Sequence, residues 1–399
     1  MPLTHVARPH YLAKLRSCLG NGTVKILAGP RRCGKTTLLA EFKNELLATG
    51  LTQDQVLTFD LDKLAQAEFL DSEILIRQIE RLRPQNKRVY VFIEEIQQSE
   101  NLAQLVESLI KLADIEVYST ASNQAETRKL AASQCTVIQM FPLSFEEFRG
   151  ALQVGGSARE DFSRYAKLGS FPALVGHIDD DSFISPYYEL LVESLMYRDV
   201  GLRFRLKNPL SLRRVVAYLA VTAGTPVSAR SIAKILAAAS GQTDISDITA
   251  GRYLQALVDC GMFVTADRYD IKQSRVMPGI SKYYLTDPAM TPYITAMMER
   301  SVEQLLENIV FLELKRRYEH VYAGKIGTSE IDFVCRGENS GCYVQVAATG
   351  PVAPRLRPFR ALRDRYPCLI ITLDQSEMPE NTGGVSVIPA VDWLLGERG

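Results

Sequence analysis

The sequence predicts an α/β fold that begins with a parallel sheet covered by helices and continues into smaller modules. Three observations predict it. Short β-branched or aromatic runs alternate with longer helical patterns over the first 150 or so residues. A Gly-rich loop stands between one of those runs and a helix. The chain has 399 residues, which at roughly 100–200 residues per domain divides into about three folding units.

VKILA (24–28) reads as a buried strand, residues 29–36 as the loop, and TTLLAEFKNELLA (36–48) as a helix with apolar residues at helical spacing. VLTFDL (56–61), RVYVFI (88–93) and IEVYST (115–120) are the further strands expected in this sheet. After FPLSFEEF (141–148), the stretch RGALQVGGSARE (149–160) reads as the linker that ends it. Helical patterns then run to about residue 207. LSLRRVVAYLA, SARSIAKILAAA and ITAGRYLQALVDC follow as three helices, and FVTADRYDI (263–271) as a strand pair. That order resembles a winged helix-turn-helix. An amphipathic helix, SVEQLLENIVFLELKRR (301–317), precedes strands at HVYAG, EIDFVC, CYVQVAA and LIITL, a second and smaller α/β unit.

Composition narrows the classes. The apolar fraction of 46% and charged fraction of 23% match soluble globular chains and exclude disordered and collagen-like ones. Lys plus Arg (46) balances Asp plus Glu (46), so no global field draws the chain to nucleic acid or anionic lipid. Seven scattered cysteines form no C-x-x-C pair, and the four histidines (His5, His10, His177, His320) are far apart, so neither a disulfide framework nor a zinc site is expected. No apolar run approaches a membrane span and MPLTHVARPH has no export signature; the expected location is cytoplasmic, with no membrane partner.

Gly29-Pro30-Arg31-Arg32-Cys33-Gly34-Lys35-Thr36 satisfies G-x-x-x-x-G-K-[ST] between a strand and a helix, where the chemistry requires it. Glycines let successive amides converge on a phosphate, and the helix N-terminus adds partial positive charge. Lys35 then bridges β- and γ-phosphate oxygens and the Thr36 hydroxyl ligates Mg²⁺; Thr37 completes the binding stretch. ATP and Mg²⁺ are the expected cofactors. An acid is needed at the end of a neighbouring strand, and Glu94 and Glu95 follow RVYVFI, Glu94 lying 59 residues after Lys35. Ser122 or Asn123, beyond IEVYST, either orients water near the γ-phosphate or serves as an N-cap or turn residue.

GPRRCGKTTLL, VFIEEIQ, STASN, FPLSFEEF, YAKLGSFPALV, YRDV, KYYLTDP, and LLENIVFLELKRR with SEIDFV occur in order along the chain. With these strings the chain resembles prokaryotic AAA-like P-loop ATPases that carry a C-terminal domain of unknown function with a restriction-endonuclease-like core. The resemblance implies a P-loop NTPase sheet (1–150), a helical lid (151–207), a winged-helix module (208–275) and a restriction-endonuclease-like α/β domain (276–399). It puts Glu94 in the Mg²⁺-facing position and Glu95 in the water-activating one. Glu94 replaces the family's Asp, a methylene longer, and implies metal contact through water. Ser133-Gln134 stands where the family has Gly-Arg, so no arginine finger is expected there; Arg128 lies nearby. Glu307, Glu330 and Asp332 fall where the nuclease acids belong, but Gln345-Val346-Ala347 replaces Glu-x-Lys, which implies a degenerate nuclease without its lysine.

In the winged-helix segment, ITAGRYLQALVDC offers Arg252 between Asp247 and Asp259, with Arg213, Arg214, Arg230 and Lys234 on neighbouring helices, a poor match to phosphates. A packing or protein-interaction role is expected, and Tyr187-Tyr188 reads as core or interface. The leading expectation is a slow ATPase acting as a nucleotide-driven switch for its C-terminal modules, with a protein partner or a second copy. The alternatives are a DNA-binding protein that uses ATP for clamping, and an ATP-dependent nuclease, against which Gln345 and Ala347 weigh.

Overall fold

Every residue of β1 (Val24–Ala28) is buried. Parallel pairing places it between β4 (Ile115–Ala121) and β5 (Cys135–Gln139). β2 (Val56–Asp60) and β3 (Val89–Glu94) complete a sheet of order β2-β3-β4-β1-β5. Apolar residues point to both faces of the central strands, so helices must cover both. Leu12, Leu15, Leu38, Leu39 and Phe42 of α1 (Pro9–Ser17) and α2 (Lys35–Ala48) pack on one face. Leu75, Ile79, Leu105 and Leu109 of α3 (Ser72–Leu82) and α4 (Leu102–Lys111) pack on the other. The Asp71 carboxylate caps α3, accepting from Glu73 and Ile74 amides, and Asn101 caps α4.

The computed structural model describes residues 6–130, 133–152, 155–202, 209–240, 246–295, 300–337, 340–349, 352–373 and 382–396. His5, and the expected boundary at 207/208, lie outside them. Packing divides the chain into two units, His5–Pro142 with Asp259–Gly261, and Leu143–Val258 with Met262–Gly399. The first division falls eight residues before the boundary read from the Gly-rich stretch. The reason is aromatic. Phe145 and Phe148 of α5 (Phe145–Ala151) pack on Phe162 and Tyr165 of α6 (Ala158–Leu168), and the Tyr165 hydroxyl donates to Leu143 O at 3.0 Å.

In the second unit, α7 (Asp181–Ser194) runs into a π-helix over Leu195–Leu202, and α8 (Pro209–Val221), α9 (Ala229–Ser240) and α10 (Asp247–Asp259) follow. β6 (Pro226–Val227) lies between α8 and α9. FVTADRYDI is not a strand pair. It is the single strand β7 (Phe263–Asp270), and its antiparallel partner is β8 (Arg275–Leu285), which crosses the expected limit at residue 275. The turn between them places Ser274 at φ 50, where the chain reverses.

After α11 (Thr291–Thr295) come α12 (Val302–Arg317), β9 (His320–Ile326), β10 (Ser329–Arg336), β11 (Gly341–Ala347), β12 (Cys368–Thr372), β13 (Ser386–Pro389) and α13 (Ala390–Leu394). The strands are not a separate sheet: β7 pairs with β9 in parallel, giving one eight-stranded order β13-β12-β11-β10-β9-β7-β8-β6. Ser301 and Gln304 form a capping box at the start of α12, whose middle is buried from Ile309 to Leu314. Asn308 uses its amide as a piece of backbone, accepting from Leu285 N (3.1 Å) and donating to Leu285 O (2.8 Å), and so fixes α12 against β8.

A buried carboxyl ties α6, α7 and the end of β8 together. Asp287 Oδ2 accepts from Ser170 N (2.8 Å) and lies 2.9 Å from the Tyr188 hydroxyl, while Oδ1 accepts from Ala289 N (3.0 Å). Gly169, at φ +90, has no room for a Cβ, which would sit 1.9 Å from the Tyr188 oxygen. Burial outweighs these hydrogen bonds and holds the Asp287 carboxyl above its ordinary range. Above about pH 4 the unfolded chain gives up this proton first, so the contribution, full below that pH, is lost as pH rises through the raised value. Urea unfolding midpoints measured between about pH 4 and pH 7 should therefore depend less on pH in Asp287→Asn than in the wild type.

Candidate functional site

The site is assembled where parallel strands end. β4 lies between β3 and β1, with Ala28 opposite Ala121 and Ile93 opposite Ser119. The residues after β1, β3 and β4 therefore meet at the carboxyl edge of the sheet, where open α/β sheets bind ligands. Gly29 is required at the exit of β1, because a Cβ there would stand 2.1 Å from the Met140 carbonyl oxygen. Gly34 caps α2 at φ 100, and Arg32 also takes a positive φ of 65, the left-handed turns that let a loop of this kind curl.

Lys35 is buried, 5% exposed, and its ammonium donates to Gly29 O (2.9 Å) and Pro30 O (2.8 Å) of its own loop. No carboxylate pairs with it among the described residues. The Thr36 hydroxyl donates to Glu94 Oε2 at 2.5 Å, which brings the two expected metal-facing groups together. Glu95 takes φ 53, its amide donates to Thr120 Oγ1 (2.9 Å), and its carboxylate accepts from Gln97 Nε2 (2.6 Å) and the Ser122 hydroxyl. Asn123 is 1% exposed; its Oδ1 accepts from Ala125 N, and its Nδ2 is buried without a partner. A buried donor and a buried ammonium that meet only carbonyls or nothing are what an incoming polyphosphate would satisfy. The donor set fits ATP, and Thr36 with Glu94 fits a hard divalent cation.

Pro30 and Cys33 are buried, and burial pushes the Cys33 thiol up; Arg31 lies 3.6 Å from Asp62, while Arg32 and Thr37 are exposed. Arg128 ion-pairs with Asp259 at 2.9 Å and donates to Gln124 Oε1. Asp259, one of the two acids read as flanking Arg252, is buried in that pair. Arg252 is exposed on α10. Among the described residues no group of His, Cys, Asp and Glu is arranged to hold a metal, and no helix is long and apolar enough to cross a membrane.

The acids of the C-terminal module are each engaged within the fold. Glu307 accepts from Lys282 and Tyr284, Glu330 pairs with Arg268 at 3.2 Å, and Asp332 Oδ2 accepts from Val346 N at 2.8 Å. Burial opposes the charge on Lys282, but Glu307 and then Asp332 outweigh it, so its ammonium titrates above its ordinary value.

Sequence reading assigned no role to Arg8 or Gln97. Arg8 is buried and donates to Cys33 O (3.2 Å) and Phe141 O (3.0 Å), bracing the phosphate loop against the end of β5. A lone arginine before a Pro-led helix carries no spacing signal, whereas Gln97 stood inside VFIEEIQ.

Residues 21–149 match the family of an AAA domain, and residues 159–301 match a domain of unknown function. An uncharacterized protein of Haemophilus influenzae is 28% identical over 98% of both chains. One of Methanocaldococcus jannaschii is 24% identical over 79% of this chain and 73% of its own. A Walker-type ATPase of Pyrococcus abyssi shares the fold at a TM-score of 0.52 and 15% identity, over 74% of this chain and 98% of its own. The AAA-domain match covers the N-terminal part, and the fold shared with the Pyrococcus protein is an α/β one with a parallel sheet.

Because the Arg8 guanidinium holds two loop carbonyls, Arg8→Met should cost about 2–4 kcal/mol in urea unfolding, as the loss of a buried charged donor does.

Proposed function

We propose that the chain binds ATP with Mg²⁺ at residues 29–37 and hydrolyses it slowly, the nucleotide acting as a switch for the modules behind. The observation that carries this reading is the buried ammonium of Lys35, which meets only carbonyls of its own loop, together with the unpartnered Nδ2 of Asn123, just after β4. Lys35 would take the β- and γ-phosphate oxygens, and loop amides from Arg31 to Thr36 would donate to the rest. Thr36 and Glu94 hold the metal, Glu94 through water, and the metal supplies charge neutralisation at the phosphates. Glu95 accepts the proton of the attacking water, steadied by Gln97 and Ser122. The unpartnered Nδ2 of Asn123 would be a donor for the nucleotide.

The modules behind are read as a helical lid, a winged helix and a restriction-endonuclease-like domain. The order α8-β6-α9-α10-β7-β8 supports the second reading, and α12 followed by β9-β10-β11 with a parallel β12 supports the third.

Calorimetry with Mg²⁺ and ATP tests the binding step. Lys35→Ala should bind roughly 10- to 100-fold more weakly than wild type, the value of a charge-assisted hydrogen bond in a buried site; equal affinities would end the reading. Glu95→Gln should keep its affinity while steady-state phosphate release falls about 10²- to 10⁴-fold.

A further inference from the structure

The four side chains expected to ligate a metal in a restriction-endonuclease-like core stand on α12, β10 and β11, and the second unit brings a fifth among them from β8. Lys282 is 5% exposed, and its ammonium lies 3.2 Å from Glu307 Oε1. The Tyr284 hydroxyl, two residues along the same strand face, donates to that oxygen at 2.7 Å. Gly224 closes over the carboxylate so tightly that a Cβ there would stand 2.8 Å from Glu307 Oε1. Gln345 turns its Nε2 to Glu330 O at 2.9 Å, and Arg268 draws off the Glu330 carboxylate. Three of the expected ligands are thus engaged by Lys282, Tyr284, Arg268 and the Val346 amide, and among the described residues no group of acids is arranged to hold a divalent cation.

We infer that Lys282 supplies from within the chain the positive charge that a metal would bring to Glu307 and its neighbours, so that this module is stable without a metal and holds none. The missing lysine of the Glu-x-Lys pattern is not replaced as a catalytic group: the buried Lys282 ammonium is committed to Glu307 as its counter-charge, and Gly224 lies against that carboxylate. A buried carboxylate deprived of its cation is strongly destabilising, whereas removing both charges together is nearly neutral.

Thermal unfolding of the full chain without nucleotide tests this separately from the Lys35 site. After EDTA treatment, adding MnCl₂ should leave the wild-type midpoint unchanged. Lys282→Met should lower it by about 10 °C, and Lys282→Met/Glu307→Gln should recover most of the loss, since Tyr284 can still donate to a Gln oxygen. If the single variant is too unstable to purify, a folded double variant carries the same support. The inference is overturned if Mn²⁺ raises the wild-type midpoint and Asp332→Asn abolishes the rise, if Lys282→Met is as stable as wild type, or if the double variant is no better than the single.

Discussion

An unpaired buried ammonium is the constraint on which the nucleotide site depends. Among the described residues three lysines are buried, Lys25, Lys35 and Lys282. Two are matched inside the fold: Lys25 by Glu116, beside the Tyr118 ring, and Lys282 by Glu307. Lys35 has only the carbonyl oxygens of residues 29 and 30. Burying a charge without a counter-charge costs several kcal/mol, so the loop holds a position that folding alone does not favour. In the proposed function a bound polyphosphate would supply the missing counter-charge, so the same lysine is a liability in the empty loop and a source of affinity in the filled one.

What keeps the loop in place is backbone geometry around β1. With β4 on one side and β5 on the other, β1 cannot shift register without parting the buried Lys25 from Glu116 of β4. Its exit at Gly29 passes against Met140, just beyond β5, and Arg8 clamps the carbonyls of Cys33 and Phe141 from the outside. The rigid strands also set the acids. Thr36 meets Glu94 across the end of β4, which separates β1 from β3, and Ser122 meets Glu95 because β4 and β3 are immediate neighbours.

Much of this was legible in the sequence, for reasons that differ by residue. β1 to β4 are runs of β-branched and aromatic residues, and the loop has fixed internal spacing, so Gly29 to Thr36, Glu94 and the residues after β4 could be placed before any coordinates. β5 was not read because CTVIQ is short and half polar, and only Cys135 and Ile138 in it are buried. The continuity of the second sheet was hidden too. Pairing of Arg268–Asp270 with Ala323–Lys325 joins segments separated by α11 and α12, and such pairing depends on register in space rather than on any local pattern. Lys282 escaped notice for the same reason, since a search along β11 for the missing lysine could not find one delivered by β8.

Polar brackets explain why the second unit has a definite structure despite so many short connections. Asn308 imitates a strand neighbour for Leu285, and two residues on, Asp287 gathers amides from residues 170 and 289 and the Tyr188 hydroxyl. Both brackets are directional and buried, so a slip of α12 or α7 by one position would strand a carboxyl or an amide without partners. Apolar packing alone tolerates such slips more readily, because it depends on volume and little on direction. The strings KYYLTDP, LGSFPALV and LLEN thus describe one bonded junction: they stand far apart in the chain and fix a single arrangement of β8, α6, α7 and α12, with Lys282 and Glu307 paired at its edge.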